Sequence, residues 1–125
     1  MKYDNINKKN INEMVVSFYA KILKENNDIS KVFVSRLGDD LNSDIWNTHI
    51  DLLTEFWSMI ALGDTKYQGN PMMTHVGMGL TKDMFPMWLK MFFETIDDTY
   101  IEPVGDVFKM RAQNIAGNFM RNLGL

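Results

Sequence analysis

The chain contains no cysteine. That absence removes disulfides, thiolate zinc clusters and thiol nucleophiles together. Histidine is nearly as scarce, with only His49 and His75 in 125 residues. Lying 26 positions apart, they offer neither the His-x-x-x-His nor the Glu-x-x-His spacing that builds a metal site from helical side chains alone. No apolar run approaches about 18 residues, so no membrane span is expected. The opening MKYDNINKKN lacks the apolar core of a secretory signal, and the expected location is the cytoplasm. Basic residues number 13 against 16 acidic ones, and they are scattered, which argues against a nucleic-acid partner. Gly-x-Ser-x-Gly, P-loop and dinucleotide fingerprints are all missing. The neighbours Asp97 and Asp98 would point to different faces of a helix, so they read as solvated surface and not as a catalytic pair.

What the chain does have is helical periodicity, with no period-two strand pattern anywhere. One all-α domain over residues 1–125 follows, large enough to bury roughly two-thirds of its unfolded surface. Ile11, Met14, Val15, Phe18 and Ile22 predict a helix over about residues 9–26, with Tyr19 bordering the buried face. Asn26, Asn27 and Asp28 end it, and Val32, Phe33, Val34 and Leu37 suggest a helical turn or two. Ser43 is placed to cap a helix over 44–62, whose inward stripe runs through Trp46, His49 and Ile50, Leu53, Phe56 and Trp57. Thr81 or Asp83 begins a helix reaching about Thr99, with Pro86 in its first turn and Trp88 in mid-stripe. Pro103 opens a last helix, within which Gly117 marks a close helix crossing at a propensity cost of about 1 kcal/mol.

Between the two helical halves stands YQGNPMMTH, residues 67–75. Gly69 and Asn70 are stop-and-turn residues, and Pro71 suits the first turn of a short new helix. His75 then falls a turn later among Met72, Met73, Val76 and Met78. A lone imidazole beside methionines is more often an ordinary core or surface residue, but one presented from a short segment into apolar space also suits an axial iron ligand. Eleven methionines, eight phenylalanines and three tryptophans allow two readings as well. One is a loosely specified core; the other is a pocket moulded around a large flat ligand. Tyr19, His49 and Trp88 bring polar tips to apolar faces of three different helices, where each needs a hydrogen-bond partner.

Taken together, these pieces have a familiar order. Phe18-Tyr19, Phe33, Trp46-x-x-His49, Phe56-Trp57, Tyr67-x-Gly69-x-Pro71-x-x-x-His75, Phe85-Pro86-x-Trp88-Leu89 and Arg111-Ala112-x-x-Ile115-Ala116 resemble the truncated haemoglobins, most nearly their third group, found in campylobacter-like bacteria. The likeness spans about residues 5 to 122. The chain has no Gly-Gly pair, whereas the first two groups typically carry such pairs at helix boundaries. Gly77-Met78-Gly79 departs from the family's pattern.

The resemblance implies a shortened globin, two helices crossing over two, around haem b. It implies His75 as the iron ligand and Phe33, Leu53, Phe56, Tyr67, Met72, Phe85, Leu89 and Phe92 as further haem-binding residues. Tyr19, His49 and Trp88 would form the distal pocket. With no cysteine, the haem would be held non-covalently. The implied ligands are dioxygen, carbon monoxide and nitric oxide at a five-coordinate iron. Hydrogen bonds from Tyr19 and Trp88 to bound dioxygen predict high affinity and slow release, and a monomer is expected. Slow release suits chemistry such as nitric oxide oxidation or peroxide reduction, with an unidentified reductase to restore ferrous iron. A haem-free helical interaction or sensor module, with a Met-rich surface for a partner helix, is the alternative that the residues leave open.

Overall fold

Asn26, Asn27 and Asp28, assigned above to the end of one helix, also begin the next. The first helix, α1, covers Lys8–Glu25 and closes on Asn26 in the left-handed conformation (φ 52°). Asn27 then caps α2: its side chain accepts from the Ser30 N–H at 3.0 Å, and Ser30 Oγ accepts from the Asn27 N–H at 3.1 Å. This reciprocal capping box, with Asp28 favourable in the first turn, extends α2 over Asp28–Leu37. It is therefore a ten-residue helix and not the expected turn or two.

The structure, a computed structural model, describes residues 1–67, 69 and 79–125. Three longer helices complete the described part. Ser43 caps α3, Asp44–Leu62, and Gly63 ends it at φ 74°. Next is α4, Met84–Thr99, where Asp83 occupies the cap position without a side-chain cap bond. There the Met84 N–H turns to the Thr81 carbonyl at 3.1 Å. Glu102–Asn122 forms α5, with Pro103 in its first turn. The short helical segment expected after Pro71 lies outside the described residues.

α1 packs on α3 and α4, α4 on α5, α2 on α1 and α4, and α3 on α5. Ile11, Met14 and Ile22 of α1, Trp46 of α3, Phe92 and Ile96 of α4, and Phe108 and Ala112 of α5 are fully buried. The close crossing is at Gly105, not at Gly117. A Cβ on Gly105 would stand 2.7 Å from Ile96 Cγ2, whereas one on Gly117 would meet only the Arg121 guanidinium, at 3.7 Å. Asp97 and Asp98 are exposed as expected, although Asp97 also accepts from Lys109 Nζ at 2.6 Å and so ties α4 to α5.

Ahead of α1 the chain straps across the bundle. Tyr3 N–H donates to Thr99 O at 2.9 Å and Ile101 N–H to Tyr3 O at 3.0 Å. This single parallel bridge is the strap's whole pairing. Buried Asn10 secures it: its Oδ1 accepts from the Tyr100 hydroxyl at 2.8 Å, and its Nδ2 donates to Asn5 O at 3.0 Å. Among the described residues no helix is long and apolar enough to cross a membrane.

Candidate functional site

Tyr19 follows Phe18 on the inward stripe of α1, and only 4% of it is exposed. Four rings enclose it, with centroids at 5.3 Å for Phe18, 5.3 Å for Phe33, 5.2 Å for Trp46 and 5.0 Å for His49. Such edge and tilted contacts suit aromatic quadrupoles and fix the phenol in place. Its hydroxyl lies 3.0 Å from His49 Nε2. Burial pushes the Tyr19 phenol well above the ordinary tyrosine value, so the group stays an O–H donor.

This pair borders a cavity of about 210 Å³. α2 contributes Ile29, Val32 and Phe33, and α3 contributes Leu52, Leu53, Phe56 and Trp57. Met84, Phe85 and Trp88 come from α4, and Ile115, Ala116 and Phe119 from α5, with Tyr67 and Leu80 between helices. Of this lining, Leu52 is 44% exposed. No Asp, Glu, Lys or Arg is among the described lining residues. In such a low-dielectric space a hydrogen bond is stronger than in water, and an unpaired charge is costly.

Trp88 supplies a third polar tip. Its ring lies flat on Phe92, at 5.2 Å and 5° between planes, and meets the edge of Phe18 at 5.6 Å. Among the described residues nothing accepts from its Nε1–H. Nor does that nitrogen count among the buried unpartnered atoms, of which Glu55 Oε2 is the described example. A ligand in the cavity could accept from this N–H, and from the Tyr19 hydroxyl when His49 Nε2–H donates to the phenol oxygen.

Of the residues expected from sequence, Tyr19, Phe33, His49, Leu53, Phe56, Tyr67, Phe85 and Trp88 all line this one cavity. Leu89 is half-buried and packs on the core. Phe92 stands one layer behind the wall, fully buried between Trp88 and Trp57, on which it stacks at 4.9 Å. Met72 and His75 lie outside the described residues. Met84 lines the cavity, while Met14 and Met91 are core residues of α1 and α4.

Sequence reasoning missed several wall residues. Ile29 escaped because α2 was read too short, and Val32, though inside the predicted run, carried no sign of what it faced. Ile115 and Phe119 stand four apart on the stripe of α5, and their spacing marked them as buried without saying against what. A largely apolar wall carrying a few polar tips, the Tyr19–His49 pair among them, fits a largely hydrophobic cofactor.

Comparison with known proteins follows the same line. The family model of the bacterial-like globins matches residues 2–115. Group 3 truncated hemoglobin ctb of Campylobacter jejuni is 31% identical over 124 residues, covering 98% of this chain and 95% of the relative. The crystal structure of group III truncated hemoglobin from Campylobacter jejuni matches with a TM-score of 0.89 at 32% identity. It covers 98% of this chain and 95% of that one.

Proposed function

The chain belongs to the bacterial-like globins, as a group III truncated haemoglobin with the all-α truncated globin fold, and from that premise we propose that it holds haem b non-covalently and binds dioxygen, carbon monoxide and nitric oxide with high affinity and slow release. As a globin it uses haem to bind diatomic gases. When bound, haem supplies the iron at which the gas is held.

The protein's residues divide the remaining work. His75 is the iron ligand in this reading, and as a neutral imidazole it loses ligating power when protonated at low pH. Phe33, Leu53, Phe56, Tyr67, Met72, Phe85 and Leu89 hold the macrocycle and exclude water, with Phe92 supporting Trp88 from behind. Tyr19 and Trp88 donate hydrogen bonds to the gas ligand, and His49 orients the Tyr19 hydroxyl or gates the approach.

One observation carries this reading. In a largely apolar cavity with no Asp, Glu, Lys or Arg on its described walls, the polar tips are the Tyr19–His49 pair, Tyr67 and the indoles of Trp57 and Trp88. Donors in that setting stabilise a ligand that accumulates negative charge, as dioxygen does and carbon monoxide scarcely does. A protein that releases dioxygen slowly serves chemistry on the ligand better than delivery. Oxidation of nitric oxide to nitrate is the reaction proposed, with peroxide reduction second, and a separate reductase returns the iron to the ferrous state. The protein acts as a cytoplasmic monomer in this account.

Two measurements test it. The purified protein should be red with a Soret band, and a colourless, stable protein would favour the haem-free module. Rapid mixing of the oxygenated protein with nitric oxide should give the ferric form at once. Persistence of the oxygenated spectrum would remove the dioxygenase activity while leaving gas binding in place.

A further inference from the structure

Trp46 is fully buried, yet it does not border the cavity. It sits in the first turn of α3, directly behind the two residues that form the polar pair. Its ring meets Tyr19 at 5.2 Å and 57°, and His49 edge-on at 5.6 Å and 87°. It also lies on Phe33 at 6.0 Å and 30°. No other described ring is in contact with all three of these cavity residues. The indole nitrogen is tied down as well: Nε1–H donates to the Gly38 carbonyl at 2.8 Å. Gly38 ends α2 at φ 81°, a conformation that favours glycine. One side chain therefore links the end of α2, the start of α3 and both members of the hydroxyl–imidazole pair.

We propose that Trp46 is a positioning residue: through its ring it sets the orientation of Tyr19 and His49 toward each other, and through its Gly38 hydrogen bond it is itself held in register. The proposal rests on the reading of Tyr19 and His49 as the distal groups. Its physical basis is close packing. A ring filling the space behind two hydrogen-bonded side chains leaves them one arrangement, and a void there gives them several. The consequence falls on the one proton that the neighbouring phenol has to give. When His49 Nε2–H donates to the Tyr19 oxygen, the phenol proton is free for a cavity ligand. In the other tautomer Tyr19 donates to Nε2, and that proton is used up.

The test is ring nitrogen NMR of His49 in the haem-loaded, carbon monoxide-bound ferrous protein, where two histidines give only two ring systems. Three variants are compared with the parent. Trp46→Leu removes both ring and N–H. Trp46→Phe keeps a ring against Tyr19 and His49 but leaves Gly38 O without its donor. Phe108→Leu opens a void at an equally buried site that touches Trp57 and Tyr100 and not the cavity.

Trp46→Leu should split or broaden the His49 signals and speed dioxygen release several-fold. Trp46→Phe should move the same signals less. Phe108→Leu should lower the melting temperature yet leave the His49 signals in place. Parent-like His49 signals in Trp46→Leu overturn the proposal, as does an equal shift in Phe108→Leu. Should Trp46→Leu fail to fold, Trp46→Phe decides: a shift supports the positioning role and parent-like signals refute it. The ring signals read the geometry of the pair whether or not it touches a gas, so this inference and the distal reading fail separately.

Discussion

The hydroxyl of Tyr19 and Nε2 of His49 lie 3.0 Å apart, joining α1 to α3 at the edge of the cavity. Thirty positions separate the two residues in the chain. They meet because α1 and α3 pack together with both side chains on their facing stripes. A phenol that burial keeps protonated and an imidazole that can donate or accept make an adjustable hydrogen-bond source. Trp88, on the wall of the same cavity, adds an N–H that can only donate.

The first prediction concerns these two donors. A hydrogen bond to a charged acceptor contributes about 1.5–3 kcal/mol, which corresponds to roughly a ten- to hundredfold change in rate. Tyr19→Phe and Trp88→Phe should each speed dioxygen dissociation by about that factor, and the double variant by more than either alone. Carbon monoxide dissociation should change far less, since that ligand draws little charge. Stopped-flow displacement of dioxygen by carbon monoxide measures the rate. A double variant that lets dioxygen go no faster than the parent would falsify the assignment of both donors.

A second prediction comes from the buried phenols. Tyr19 and Tyr100 both ionise well above the ordinary value of about 10, chiefly because burial disfavours the phenolate. The unfolded chain loses these protons near pH 10 while the folded chain keeps them, so above that pH the native state binds more protons than the unfolded one. Their contribution to stability is accordingly complete below about pH 10 and declines as pH rises from there toward the native values. Urea unfolding at about pH 8 and about pH 11 should show the parent losing stability across that interval. Tyr19→Phe and Tyr100→Phe should each shallow the decline. An alkaline loss just as steep in both variants would assign it to other groups.

Much of this molecule is legible in one dimension. Ile11, Met14, Val15, Phe18 and Ile22 announce α1 by spacing, and Ser43 and Gly63 bracket α3 as caps should. The polar tips of Tyr19, His49 and Trp88 stand out because each interrupts an apolar stripe. What escaped detection depends on contacts between distant segments. Trp46 read as one more core aromatic, since nothing in its spacing shows that its N–H reaches Gly38 O or that its ring backs His49. Asn26 and Asn27 read as a stop, because a stop followed immediately by a capping box has the same composition as a loop. Phe92 shares the stripe of Trp88, and spacing alone could not separate a wall residue from the one stacked behind it.

A third prediction turns on two glycines of α5, where composition suggested one crossing point and packing selected another. Helical glycine costs about 1 kcal/mol relative to alanine wherever nothing else intervenes. At Gly117 nothing does, since an added methyl would meet only the far end of the Arg121 side chain at 3.7 Å. Gly117→Ala should therefore stabilise the protein by up to about 1 kcal/mol. At Gly105 the same methyl would press within 2.7 Å of Ile96 Cγ2, a branch-point methyl of a fully buried side chain. Forcing a methyl into a packed core costs about 1–3 kcal/mol, which outweighs the propensity gain. Gly105→Ala should lower stability, and because α4 carries both Ile96 and Trp88 it should also speed dioxygen release slightly. Urea midpoints at neutral pH read both variants side by side. The packing account requires opposite signs, and midpoints that move in the same direction would place the α4–α5 contact somewhere other than Gly105.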